Sequence, residues 1–286
     1  MRIAVIGSGI SGLSAAYFLG KNHEVTIFEK SDRLGGHTHT HQLELETKIK
    51  VDSGFIVLND KNYKNLMKFF KEIGIDLYQT EMSFSVNSKT LIWNSKEFFN
   101  FSFLTSLKKI KLLIDIVRFN YLAKNLKSKE NIGEWLKTFK FSNLFVESYL
   151  LPMTSAIWSS TSKEIKNYPA ESMNNFLNNH GLLNLYDRPQ WYSVLGGSST
   201  YVEKLLDLKV FDVKLNSEVK INRSENKIFI SNKDESYEFD LLIMANHPNQ
   251  ILECIVDLND DEKNAIDSIK YQKIITILHG DESLMP

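Results

Sequence analysis

Arg2-Ile3-Ala4-Val5-Ile6-Gly7-Ser8-Gly9-Ile10-Ser11-Gly12 opens the chain, and its reading decides the fold. The first five residues read as a short buried strand and the next six as a glycine-rich turn. Leu13 to Leu19 then carry apolar and small residues at helical spacing, with Gly20 as a stop. A second apolar strand, Glu24 to Phe28, ends at Glu29. Strand, glycine loop, helix, strand, acid is the order of a βαβ nucleotide-binding unit. Gly7 permits the tight turn out of the strand, Gly9 lets a pyrophosphate approach the backbone, and Gly12 lets the helix pack close to the sheet. The helix N-terminus, around Ser8, Ile10 and Ser11, offers free N–H groups and a positive dipole end to phosphates. Glu29 lies 22 positions after Gly7. Its carboxylate can accept hydrogen bonds from the adenosine ribose hydroxyls and would repel a 2′-phosphate, which disfavours NADP.

The next stretch, Lys30-Ser31-Asp32-Arg33-Leu34-Gly35-Gly36-His37-Thr38, adds a second glycine turn, which a simple NAD-binding fold does not need. Acid, short spacer, Arg-x-Gly-Gly resembles the extended fingerprint of the flavin-containing amine oxidoreductase superfamily, the group of monoamine oxidases, phytoene desaturases and protoporphyrinogen oxidases. Val51-Asp52-Ser53-Gly54-Phe55 resembles a segment that passes near the flavin there. Gly196-Gly197-Ser198-Ser199-Thr200-Tyr201 resembles the second glycine-pair motif, and Phe239 to His247 resembles a strand that often ends Ala-Thr-Gly, here replaced by Asn246-His247. Within the superfamily the chain resembles a bacterial branch described as predicted NAD/FAD-binding proteins, through His247, Leu278-His279-Gly280-Asp281 and Leu284-Met285-Pro286.

The resemblance implies an α/β fold: a Rossmann-like FAD-binding domain of the glutathione-reductase type with an inserted, mainly helical α+β substrate or cap domain. It implies FAD as cofactor and a hydride moving from an organic, amine- or lipid-like substrate to flavin N5. The Gly7–Gly12 loop, Glu29, Lys30, Arg33, Gly35, Gly36, His37, Thr38, Gly54 and Phe55 would touch the cofactor. Gly197 and Ser198 would lie near the ring, and Val219 would hold the adenine by backbone contacts. The family pattern continues past Pro286 with a segment that returns to the flavin. The expectation is therefore a chain lacking that segment, with a non-catalytic dinucleotide-binding protein or subunit as the alternative to an oxidoreductase.

Composition narrows the remaining classes. The 286 residues suffice for one large domain or two smaller ones. A net charge of −1 implies no general attraction to nucleic acid. One cysteine, Cys254, excludes an intramolecular disulfide and a Cys-rich metal site, and its apolar surroundings suit a structural thiol. Met1-Arg2 runs into an apolar segment too short for a signal peptide, and no window of about eighteen apolar residues occurs, so the cytoplasm is the expected compartment.

The expected division is 1–60 and 195–286 for the FAD domain and 61–194 for the cap. In the cap, helices are expected over 62–73, 103–126, 132–139, 143–151 and 172–179, with a hairpin around Asn87-Ser88-Lys89. After Gly197 a helix over 199–206 leads to strands 217–222, 226–231 and 236–244, and Lys273 to His279 reads as a further strand. Phe98, Phe99, Phe101 and Phe103 lead into the long helix, which mixes apolar residues with Lys108, Lys109, Lys111, Arg118 and Lys124 against one acid, Asp115. That pattern over 98–126 suits peripheral contact with a membrane surface, or a cap helix with a solvated lysine face. His37 and His247 are the candidates for polarising or protonating a group near the cofactor, although a strand-end histidine without chemistry reads equally well at His247. His37, His39 and His41 alternate, but lack an acidic or Cys partner at ligand spacing. Trp158, Trp191 and Tyr192 could line an apolar cavity or simply fill a core.

Overall fold

The computed structural model describes residues 1–44, 46–88, 90–95, 106–184, 188–233, 235–271, 273 and 275–284. The chain folds into two compact units. The first comprises Met1–Val57, Asn65–Tyr78 and Ser193–Tyr271; the second comprises Leu58–Lys64, Gln79–Tyr192 and Gln272–Pro286. Relative to the expected division, Asn65–Tyr78 falls with the first unit and Gln272–Pro286 with the second. The helix Lys64–Glu72 accounts for the first difference. Its Phe69 packs edge-on against Tyr17, its Phe70 lies 5.3 Å from Tyr201, and Tyr17 Oη donates to Glu72 at 2.9 Å.

The first unit is built on a parallel sheet. Strands β1 (Arg2–Ile6) and β2 (Glu24–Phe28) flank the connecting helix α1 (Ile10–Gly20) in sequence. The sheet runs in the order Asp212–Lys214, β2, β1, Leu241–Met244, all parallel. All five residues of β1 except Arg2 are buried, as a central parallel strand covered on both sides demands. Ala4, Ile6 and Phe28 pack with Val219, Ile221, Ile230 and Phe239, from or beside an antiparallel meander formed by Lys220–Arg223, Ile228–Ser231 and Ser236–Phe239. The alternate residues Ile3, Val5 and Ile27 point to the other side, where α1 packs through Leu13, Ala16 and Tyr17. This is the α/β, Rossmann-like arrangement that the opening residues predict.

The expected strand 236–244 is two strands in two sheets. Asp240 breaks it: its N–H donates to Arg2 O at 2.8 Å while its carboxylate accepts from Arg2 N at 2.8 Å, so the chain passes from meander to parallel sheet there. The short edge strand Asp212–Lys214 and the hairpin Thr40–Glu44/Lys48–Asp52 escape the sequence reading, because charged residues hide their alternation. The expected strand over 273–279 is absent among the described residues. Ile275 and Ile277 are 81% and 73% exposed, and without a neighbouring strand their N–H and C=O groups have no ladder to join.

The second unit is mainly helical. Its longest helix spans Leu107–Lys124, followed by Ile132–Thr138, Asn143–Phe145, a π-helical turn over Val146–Leu150, Leu151–Trp158, Ser162–Ile165 and Ala170–Asn179. A short hairpin pairs Ser85–Asn87 with Ile92–Asn94. The core holds Trp93, Phe119, Trp135, Phe141 and Phe145, with Phe119 and Trp135 edge to face at 5.6 Å. Burial of each such ring stabilises by about 2–3 kcal/mol. Residues 98–105 at the start of the expected long helix, with their four phenylalanines, lie outside the described residues.

Candidate functional site

At the carboxyl ends of β1 and β2 the first unit contains a cavity of about 750 Å³. That is the size range of sites that enclose a cofactor-sized ligand. Its lining comes from four separated stretches: the Gly7–Ser11 loop, Phe28 to Thr38, Ser217 to Val219 and Ala245 to Cys254, with Phe55, Leu66, Phe70 and Tyr201 completing the wall.

The glycine loop and the acid are bound to each other. Ser8 is fully buried; its N–H and hydroxyl both donate to one Glu29 oxygen, at 2.9 and 2.5 Å. The other Glu29 oxygen accepts from Ser31 N at 2.9 Å and keeps a lone pair for a ligand hydroxyl. Burial pushes the Glu29 carboxyl up, but the bonds from Ser8 and Ser31 more than offset it and hold the group below the ordinary carboxylate range. Glu29 therefore enters the site as an anion.

The second glycine turn is stapled by a guanidinium. Gly35 and Gly36 adopt φ of +107° and +57°, which favour residues without Cβ. Arg33 donates to the carbonyls of Thr38 at 3.0 Å and Gly36 at 2.9 Å, and Gly35 N donates to Ser8 O at 3.0 Å, tying the two loops together. Arg33 thus adds charge to the cavity wall and fixes the turn.

The glycines divide into two kinds. A Cβ on Gly9 would meet nothing within 4 Å, so this residue presents bare backbone to the cavity. A Cβ on Gly12 would stand 1.9 Å from Gly7 O, one on Gly54 1.8 Å from His37 O, and one on Gly197 2.6 Å from Thr40 Cγ2. Gly12, Gly54 and Gly197 permit close chain approach and do not line the cavity. Ser198 is also off the cavity wall: buried, it donates its N–H and hydroxyl to the Asp52 carboxylate at 2.9 and 2.8 Å. The Gly197–Ser198 turn is anchored inward, onto the strand that ends at Asp52.

The other expected residues, Gly7, Ser8, Gly9, Ile10, Ser11, Glu29, Lys30, Arg33, Gly35, Gly36, His37, Thr38, Phe55 and Val219, lie on the wall. Lys30 pairs with Glu218 at 3.2 Å and Glu253 at 3.8 Å, both lining residues that sequence reasoning missed. Glu218, Gln250 and Glu253 carry no local motif; only the packing of the meander and the helix Pro248–Cys254 brings them here. The imidazoles of His37 and His247 stack at 5.5 Å on the cavity wall, and His247 stacks on Tyr271 at 4.9 Å. His39 and His41 form a separate ring pair at 4.0 Å, and burial, with Arg33 and His41 nearby, holds the His39 imidazole below its usual range. Burial pushes the Cys254 thiol up, consistent with an unreactive wall residue. Trp158, Trp191 and Tyr192 belong to the second unit or its edge strand and are not lining residues here.

The residues suit a dinucleotide cofactor. No side chain caps α1 at Gly9, so its first-turn N–H groups are left for a pyrophosphate. Asn246 Oδ1, on a lining residue, is buried without a hydrogen-bond partner among the described residues.

Comparison with known proteins gives this arrangement its context. The model of the family described as flavin containing amine oxidoreductase matches residues 10–282. An L-amino-acid oxidase of Pseudechis australis is 35% identical over 77 residues, 27% of this chain and 14% of that protein. One of Sistrurus catenatus edwardsii is 50% identical over 44 residues, 15% of this chain and 8% of that protein. A putrescine oxidase solved with putrescine bound superposes with a TM-score of 0.66 at 16% identity, covering 93% of this chain and 63% of that one. Cyclohexylamine oxidase from Brevibacterium oxydans gives 0.66 at 19%, covering 93% and 62%. These structural likenesses show the fold, and the chain spans less than two thirds of the length of either oxidase. The match across nearly all of the sequence shows that the chain belongs to the flavin-containing amine oxidoreductase family, whose cofactor is FAD.

Proposed function

We propose that the protein is an FAD-dependent oxidoreductase acting on an organic substrate, amine first and lipid-like second. The observation that carries the reading is the joined pair of loops. Ser8 links the Gly7–Gly12 turn to Glu29 and to Gly35, leaving bare Gly9 backbone, an anionic Glu29 and the cationic Arg33 turn around one cavity. Glu29 would accept from the ribose hydroxyls, the α1 N-terminus and Gly9 would hold the pyrophosphate, and Val219 would flank the adenine. When bound, FAD supplies the two-electron acceptor. Phe55, Leu66, Phe70 and Tyr201 keep water from the apolar wall, and the His37 and His247 imidazole nitrogens are the groups able to take or return a proton there. An amine comes first because the relatives named above are amine and amino-acid oxidases.

The test is the visible spectrum of the purified chain after incubation with excess FAD and removal of free cofactor, followed by anaerobic addition of candidate amines and acyl compounds. Retained flavin bands, one flavin per chain, that bleach with a substrate support the proposal. A colourless protein would replace it with the non-catalytic dinucleotide-binding alternative.

A further inference from the structure

The helix Leu107–Lys124 in the second unit buries Leu112, Asp115, Ile116, Phe119 and Ala123, three or four residues apart, in the unit's core. Its opposite side is not the polar surface that such a helix ordinarily shows. Leu107, Ile114, Val117 and Tyr121 are 85%, 61%, 48% and 76% exposed. Their spacings of seven, three and four place them on one stripe, about 21 Å long from Leu107 to Tyr121 at 1.5 Å per residue. Lys108, Lys111 and Lys124 are exposed beside it, while the Arg118 guanidinium turns back onto the unit, donating to Phe139 O and lying over the Phe141 ring at 4.9 Å. The helix's single acid, Asp115, is turned inward, where its carboxylate accepts from the backbone N–H and the hydroxyl of Ser142. The outer face is therefore an apolar ridge with a cationic border and no carboxylate.

We infer that this face docks onto an anionic lipid surface, with the helix lying in the plane of the interface. Large apolar side chains would enter the headgroup boundary while the lysine stems reach out to phosphate groups. Among the described residues no helix is long and apolar enough to cross a membrane. Charge decides between lipid and a second copy of the chain. Two copies meeting by this stripe would bring the lysine border of one helix against that of the other, with no outward carboxylate on the helix to pair them. Anionic headgroups supply the missing charge at every lateral position. The inference does not depend on cofactor binding.

The experiment is co-sedimentation of the full chain with vesicles of equal parts phosphatidylglycerol and phosphatidylcholine, against vesicles of phosphatidylcholine alone, with oligomeric state followed by light scattering. The native chain should pellet with the anionic vesicles and stay in solution with the neutral ones. The double variant K108Q/K111Q should lower partitioning about fivefold per lysine, roughly 25-fold together. I114S/Y121S should lower it more than about tenfold by removing the apolar ridge. All four positions are solvent-facing, so unchanged circular dichroism and thermal unfolding should accompany the loss. The control K68Q/K71Q, two exposed lysines of the first unit, should bind as the native chain does. A native chain that remains in the supernatant, or stripe variants that bind as well as the native chain, would overturn the inference. So would an I114S/Y121S variant that turns a dimer into a monomer without affecting vesicle binding, because the face would then belong to a second copy.

Discussion

Replacing Gly9 and Gly12 by alanine, one at a time, separates the two uses of glycine in the first loop. At Gly9 the backbone is φ −64°, ψ 177°, ordinary for an L-residue, and the added methyl meets no atom within 4 Å. Reduced freedom of the unfolded chain favours alanine by about 0.4–1 kcal/mol. Losing a glycine at the helix N-cap costs about 0.5–1 kcal/mol. The two offset, and Gly9→Ala should unfold within about 0.5 kcal/mol of the native protein. The methyl does occupy the space a pyrophosphate needs. An overpacking cost of about 1–3 kcal/mol at that contact corresponds to roughly five- to hundredfold weaker FAD binding. Gly12→Ala behaves in the opposite way. Its methyl would lie 1.9 Å from Gly7 O and 3.0 Å from Gly7 C, atoms of the backbone that cannot swing aside. Helix α1 must shift from the sheet, destabilising the first unit by about 3 kcal/mol or more. Urea unfolding of the cofactor-free proteins and flavin titration by fluorescence quenching measure both quantities. If Gly9→Ala loses as much stability as Gly12→Ala, or binds FAD as tightly as the native chain, the division between cradle and packing glycines is wrong.

Other substitutions probe the remaining parts of the site. Glu29→Gln should cost about 1–2 kcal/mol at neutral pH through loss of charge-assisted bonds from Ser8 and Ser31. Because the folded carboxyl sits below its ordinary value of 4.5, that contribution is complete above this pH and fades as pH falls through the lower folded value. Urea titrations of native and variant protein should therefore converge on acidification, and a constant gap down to pH ~3 would contradict the assignment. Asp52→Asn weakens the anchor of the Gly197–Ser198 turn and should cost about 1–3 kcal/mol in urea unfolding, with flavin still retained. Flavin loss without a stability change would show that Ser198 serves the cofactor directly and that its bond to Asp52 is not a structural anchor. His37→Ala and His247→Ala should each leave the flavin spectrum and stoichiometry intact while lowering turnover about 10²-fold or more. Unchanged turnover in both variants would remove the histidines from the chemistry.

Short-range physics made much of this protein legible in its sequence. A buried five-residue strand, a glycine turn, a helix with small residues toward the sheet and an acid at the next strand's end are each local patterns. Residues 2–38 accordingly fold as read, into β1, α1, β2 and the two loops of the cavity. Periodicity likewise located the helices Lys64–Glu72, Leu107–Lys124 and Ala170–Asn179 to within a few residues. Tertiary structure alone decided which motif faces inward. Gly196 and Gly197 carry the same glycine-pair pattern as Gly35 and Gly36, yet the next residue, Ser198, gives its N–H and hydroxyl to Asp52, 146 positions away, which holds that turn off the cavity wall. Glu218, Gln250 and Glu253 reach the wall because the chain crosses between sheets at Asp240 and returns beside β1, an event recorded in two hydrogen bonds to Arg2. A strand's own residues specify its hydrophobic faces and its turns. Its neighbours, and the side chains gathered at its carboxyl end, depend on a register between segments more than two hundred residues apart, which no local pattern encodes.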